Sequence, residues 1–196
     1  MKTWILAAVF VIAGCGKRSE PAADAPIKVA TGAADVVFAD GGVWVAAPDA
    51  GTVTRIDVLT RKASPPLRLT TGQVLALAAG NGAVYAAVSK TELNDDLQLL
   101  RIDAKAAKVT GVPVPITGGI PLRLAVGNGS VWATDIGSSL PGSIARPPRL
   151  LRVDPTTRSA KAVAVIAGRP SSVATGSGAV WVTDSTRGTL THVALR

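Results

Sequence analysis

The feature that most constrains this chain is a segment that occurs four times. It reads Val36-Val37-Phe38-Ala39-Asp40-Gly41-Gly42-Val43-Trp44-Val45, then Leu77-Ala78-Ala79-Gly80-Asn81-Gly82-Ala83-Val84-Tyr85-Ala86. It returns as Leu124-Ala125-Val126-Gly127-Asn128-Gly129-Ser130-Val131-Trp132-Ala133 and as Val173-Ala174-Thr175-Gly176-Ser177-Gly178-Ala179-Val180-Trp181-Val182. The aromatic positions, Trp44, Tyr85, Trp132 and Trp181, are spaced by 41, 47 and 49 residues. Self-similarity at this period means that one structural unit is stacked on copies of itself. Within the unit, Asp-Gly, Asn-Gly or Ser-Gly lies between two β-prone runs and supplies the positive φ angles of a two-residue hairpin turn. The first three copies are followed by Arg55-Ile56-Asp57, Arg101-Ile102-Asp103 and Arg152-Val153-Asp154, which read as a third strand. Asp154-Pro155-Thr156-Thr157 is a second turn, leading to a fourth strand over 162–166.

Each repeat is therefore four antiparallel strands, the size of one propeller blade, with the aromatic filling the space between neighbouring sheets. The expected fold is all-β, a β-propeller of about four four-stranded blades over 27–196. The last repeat ends at Leu190-Thr191-His192-Val193-Ala194-Leu195 without a fourth strand, whereas Ile27-Lys28-Val29-Ala30-Thr31-Gly32 resembles one. The expectation is that this N-terminal strand pairs with the last blade and closes the ring, removing exposed sheet edges. The rival is an open array that pairs with another copy or a partner.

Residues 1–14 read as a signal peptide. Met1-Lys2-Thr3 is followed by an apolar run from Trp4 to Ala13, too short to span a bilayer, and by small residues at a processing site. Ile12-Ala13-Gly14-Cys15 resembles the bacterial lipobox, which implies cleavage before Cys15 and acylation of its thiol. Cys15 is the single cysteine of the chain, so no internal disulfide can form. Residues 15–26 are then the lipidated cysteine and a polar, Pro/Ala-rich tether. The expected location is extracytoplasmic, anchored to a membrane of the bacterial envelope.

The repeats, with Val131-Trp132-Ala133-Thr134-Asp135 and Arg152-Val153-Asp154-Pro155-Thr156-Thr157 the clearest instance, resemble those of streptogramin lyase-like, YVTN/NHL-type bacterial β-propellers. The resemblance spans roughly residues 27–195 and rests on residues that build blades. It implies a propeller and, for the lyase branch, elimination chemistry by histidines with a glutamate and magnesium. This chain carries one histidine, His192, and two glutamates, Glu20 and Glu92, with Glu20 in the tether. No catalytic set, cofactor or metal site is therefore expected, and Asp95-Asp96 reads as a solvated loop. A lyase-like or small-molecule-hydrolysing enzyme is the alternative to a binding or scaffold module.

Two surfaces are candidates for binding. The loops between second and third strands vary most, the longest running from Asp135 to Arg149. Glu92, Asp95, Asp96, Arg146, Arg149 and Arg187 are candidate contacts on that face, because insertions on one side of a rigid scaffold are where recognition concentrates. Asp35, Arg123 and Ser172 begin their first strands and are expected at the mouth of a central channel, with Asp35 and Arg123 facing each other as an ion pair or small polar pocket. The formal charge of +8 is scattered as single basic residues with few aromatics. This pattern, in an exported protein, argues against nucleic acid. The expected partners are membrane lipid through acylated Cys15 and, on the loop face, an envelope protein, peptide or glycan.

Overall fold

The computed structural model describes residues 24–91, 97–116, 121–137 and 146–195. Cys15, Glu92, Asp95 and Asp96 lie outside them.

Among the described residues, fifteen strands form four antiparallel sheets. Blade one is β1 (Asp35–Ala39), β2 (Gly42–Ala47), β3 (Thr52–Asp57) and β4 (Leu67–Arg68). Blade two is β5 (Val74–Gly80), β6 (Ala83–Ser89), β7 (Leu97–Asp103) and β8 (Lys108–Pro115). Blade three is β9 (Pro121–Gly127), β10 (Ser130–Asp135), β11 (Arg149–Asp154) and β12 (Ser159–Val165). Blade four has three strands, β13 (Pro170–Gly176), β14 (Ala179–Asp184) and β15 (Thr189–Ala194). Strand β4 is short because Pro65 and Pro66, which have no N–H to donate, precede it.

The first hairpin of every blade turns where the sequence placed it. Asp40-Gly41, Asn81-Gly82, Asn128-Gly129 and Ser177-Gly178 all have positive φ at both residues, from 46° to 71°. That is the type I′ geometry whose twist matches the flanking strands. The aspartates of the Arg-Ile/Val-Asp elements cap the other turns. Asp57 accepts the N–H groups of Thr60 (2.8 Å) and Leu59 (3.1 Å), Asp103 those of Ala106 (2.7 Å) and Lys105 (3.0 Å), and Asp154 those of Thr156 (2.8 Å) and Thr157 (3.1 Å). The amides of Thr60, Ala106 and Thr157 are the main cause of carboxyl pKa values held below the ordinary range.

Three hydrophobic cores fill the three junctions between consecutive blades. Trp44 packs with Leu77, Val84 and Ala86; Tyr85 with Leu124, Val131 and Ala133; Trp132 with Val173, Val180 and Val182. No core cluster among the described residues joins blade four to blade one. The inner strands pack in series, β1 on β5, β5 on β9 and β9 on β13, and β13 does not return to β1 in the same way. Among the described residues the inner strands therefore form a series whose two ends, β1 and β13, do not pack on each other as consecutive inner strands do.

The expected closing strand is a correction. Ile27–Ala30 forms no strand and does not pair with β15. Instead the segment before β1 is tied to its own blade. Asp24 pairs with Arg61 at 2.7 Å, and Arg61 donates to the carbonyl of Ala25 at 3.1 Å, in the turn between β3 and β4.

Candidate functional site: the loop face

With β1 to β4 alternating in direction, the loops between second and third strands share one rim with the connections into the next blade. The opposite rim carries the first-to-second strand turns and the connections from third to fourth strands. On the first rim, between blades one and two, the chain is knitted by its own backbone. Val74 donates to Pro48 O (3.2 Å), and Leu69 and Thr70 donate to Gly51 O at 2.8 and 3.3 Å. A Cβ on Gly51 would stand 2.4 Å from the Thr70 carbonyl oxygen, at a φ of 62°, so both space and conformation require glycine there. Gln73 donates its amide to Asp49 at 3.0 Å across the same junction. Asp49, Thr71, Gly72 and Gln73 line a shallow basin of about 260 Å³.

The long loop of blade three is anchored by an aspartate the sequence reading did not single out. Asp135, at the end of β10, is fully buried. It accepts Gly137 N–H at 2.7 Å, and Arg149 Nε and Nη2 at 3.1 and 2.6 Å. Asp135 and Arg149 are also register partners across β10 and β11, so the two ends of the loop are clamped together. Arg149 is thus a clamp at the loop base. Arg146 is half-buried, and its carbonyl would lie 2.2 Å from a Cβ on Gly137, so the returning chain runs closely against the departing one.

Blade four repeats the device without the arginine. Asp184 occupies the place of Asp135 and is buried. Its Oδ1 accepts from Arg169 N (3.0 Å), Thr186 N and Oγ1 (both 2.8 Å) and Arg187 N (3.2 Å). Burial works to raise this carboxyl's pKa, but those donors outweigh it and bring it down to about 2. Its Oδ2 is buried and has no hydrogen-bond partner. Thr189 stands where blade three has Arg149. The side chain of Arg187 is exposed beside this anchor. Ala47 and Val88 fill the same position in blades one and two, so only the shared Thr-Asp of Thr134-Asp135 and Thr183-Asp184 could have marked these anchors.

The structure places the three expected channel-mouth residues as follows. The carboxylate of Asp35 accepts Val36 N–H at 2.9 Å and, across the junction, Leu77 N–H at 2.8 Å. It stitches β1 to β5 across the first junction. Arg123 and Ser172 are exposed on their own blades. His192 lies on the outer strand of blade four, its ring 4.6 Å from that of Trp181.

What the loop face offers is hydrogen-bonding groups held on a rigid rim. No family model and no curated protein matches the sequence. Solved structures match the fold. The computationally designed Ika4 protein aligns with a TM-score of 0.60 at 14% identity, over 83% of this chain and 90% of that one. The Pan2 WD40 domain of Neurospora crassa gives 0.57 at 10% identity, over 82% of this chain and 49% of that one. BamB from Moraxella catarrhalis gives 0.55 at 12% identity, over 82% and 42%. The chain is a β-propeller of four blades, and it spans a little under half the length of these two natural propellers.

Proposed function

We propose that this chain is a membrane-anchored lipoprotein of the bacterial cell envelope whose propeller is a non-catalytic binding and scaffold module. The recognition surface is the loop face, and its ligand is an envelope protein, a peptide or a glycan. The observation that carries the reading is the Asp135–Arg149 clamp: a long loop on one rim is held at its base by an ion pair in which two guanidinium nitrogens of a partly buried Arg149 donate to one oxygen of a buried carboxylate, as a recognition loop must be if it is to meet a ligand without a large ordering cost. The neighbouring Asp184 anchor and the Asp49–Gln73 bridge fix the same rim. The lipobox resemblance at Cys15 supports the anchor.

Two measurements test the two halves. Cys15→Ser in the full chain should move the protein from the membrane to the soluble fraction with an unchanged circular dichroism spectrum; continued membrane association refutes the anchor. Replacing residues 138–147 by a short glycine linker should remove proteins or glycans that co-purify with the wild type after in-cell crosslinking. An unchanged set refutes the loop face.

A further inference from the structure

The four repeats carry an internal standard for what each blade face expects to touch. On the receiving side of the three junctions, Leu77, Leu124 and Val173 are at most 8% exposed, and Val84, Val131 and Val180 are wholly buried. Their counterparts in blade one are Val36, 61% exposed, and Val43, half-buried, with Phe38 beside them 63% exposed. On the donating side Trp44, Tyr85 and Trp132 are buried, whereas Trp181 is half-buried on the outer face of blade four. Terminal repeats of an array ordinarily present polar caps. Both ends of this one present the apolar residues of an internal junction.

The shapes of the two ends also match. Five residues before each aromatic stands Gly80, Gly127 or Gly176. A Cβ on Gly80 would come within 2.6 Å of Val126 in the next blade, and one on Gly127 within 2.4 Å of Thr175, while nothing lies within 4 Å at Gly176. The residue that a further blade would set opposite Gly176 is the counterpart of Val126 and Thr175, which is Phe38. The largest side chain of the series therefore faces the smallest. A third sign is the missing outer strand. At the junction of blades two and three, Pro155 and Arg158 help wall a cleft of about 60 Å³. At the next junction a groove of about 410 Å³ lies open between Trp132, Arg152 and Val163 on one side and Val193 and Leu195 on the other.

We infer that two copies of this chain join head to tail and close an eight-bladed ring, each presenting Trp181 and Gly176 to Val36, Phe38 and Val43 of the other. A head-to-tail contact closes only if its rotation divides the circle. Here the chain superposes on 42% and 49% of the lengths of two natural proteins and on 90% of the designed one, so propellers about twice its length contain its fold. In that ring Ile27–Ala30 of each copy lies beside the free edge of β15 in the other and completes its fourth blade, as β12 completes the third. Closure removes two open sheet faces and a free edge, which is why a second copy is the occupant that fits.

The experiment uses the full chain with Cys15→Ser, so that any thiol is an introduced one, and native mass spectrometry at micromolar concentration. The expected result is a two-copy mass, falling to one copy for Gly176→Arg and for Phe38→Asp with circular dichroism unchanged. Should either variant misfold, chains carrying only Phe38→Cys mixed with chains carrying only Gly176→Cys decide the matter. A mixed disulfide, absent when either chain is oxidised alone, supports the ring, because a disulfide needs the two Cα atoms within about 7 Å. A one-copy mass for the parent chain without that disulfide overturns the inference, and so does a series of larger open oligomers.

Discussion

Asp135 and Asp24 each hold an arginine at almost the same distance, 2.6 Å to Arg149 and 2.7 Å to Arg61, and they should behave as opposites when removed. Asp24 and Arg61 are 75% and 45% exposed, so solvent screens their attraction and Asp24→Ala should cost about 0–1 kcal/mol. Asp135 is 0% exposed and Arg149 19%. Asp135→Ala removes the buried acceptor of the partly buried Arg149 guanidinium and of the Gly137 N–H, a change that costs up to about 3–5 kcal/mol where one partner of a buried pair is deleted. For a domain of this size each kcal/mol moves the melting temperature by about 2–4 °C, so the expected fall is roughly 6–20 °C. Differential scanning calorimetry on Asp135→Ala, Arg149→Ala, the double variant and Asp135→Leu/Arg149→Leu gives the cycle. Arg149→Ala should be similarly damaging. The double alanine variant should cost far less than the two singles together, and the double leucine variant should recover much of the loss, since an apolar pair leaves no charge unmatched. Equal costs at Asp24 and Asp135, or additive singles, would show that the clamp does not hold the loop base.

Trp132→Ala empties a site 2% exposed between blades three and four and should cost about 3–5 kcal/mol in urea titration. Trp181→Ala, the same residue one repeat later, should cost a single copy much less and should instead weaken self-association. Asp184, with its pKa lowered to about 2 in the folded chain, contributes stability that is complete above the ordinary carboxyl value of 3.8 and is lost as pH falls toward 2. Urea midpoints measured between pH 6 and pH 2 should therefore fall steeply at the acid end, and Asp184→Asn should flatten that fall. Asp57, Asp103 and Asp154 shift in the same direction, so some slope should persist.

The blades were legible because everything that makes one is local. Asn81-Gly82 needs only its own two positive φ angles, and the alternation of Val84 and Ala86 with Tyr85 needs only a sheet with two faces. Closure was not legible, because it depends on the sum of the rotations at every junction. Ile27–Ala30 looks like a fourth strand in composition, yet Arg61 holds the preceding residues against blade one. The contact of Asp35 with the Leu77 N–H across the first junction was not legible either, since it joins two blades and no single repeat displays it. The anchoring role of Asp135 was not legible for a different reason. Blades one and two have Ala47 and Val88 at that position, so the comparison that reveals the architecture averages the anchor away.

The position of Arg61 bears on how the domain would sit at a membrane. Asp24 and Ala25 are fastened at the turn between β3 and β4, on the rim opposite the loops. The sequence alone suggested a tether leaving from the seam of the last blade; the contacts put its exit on the first blade and on the turn rim. A lipid at Cys15 would then hold the turn rim toward the bilayer and present the Asp135–Arg149 loop base away from it. Two copies closed into one ring share a single axis, so both tethers leave the same rim and both loop sets point the same way. One protein would then carry two anchors, and the free energy of membrane attachment would grow with each set of acyl chains. Dissociating the ring through Gly176→Arg should therefore loosen membrane attachment as well as halve the mass, although Gly176 lies far along the chain from Cys15.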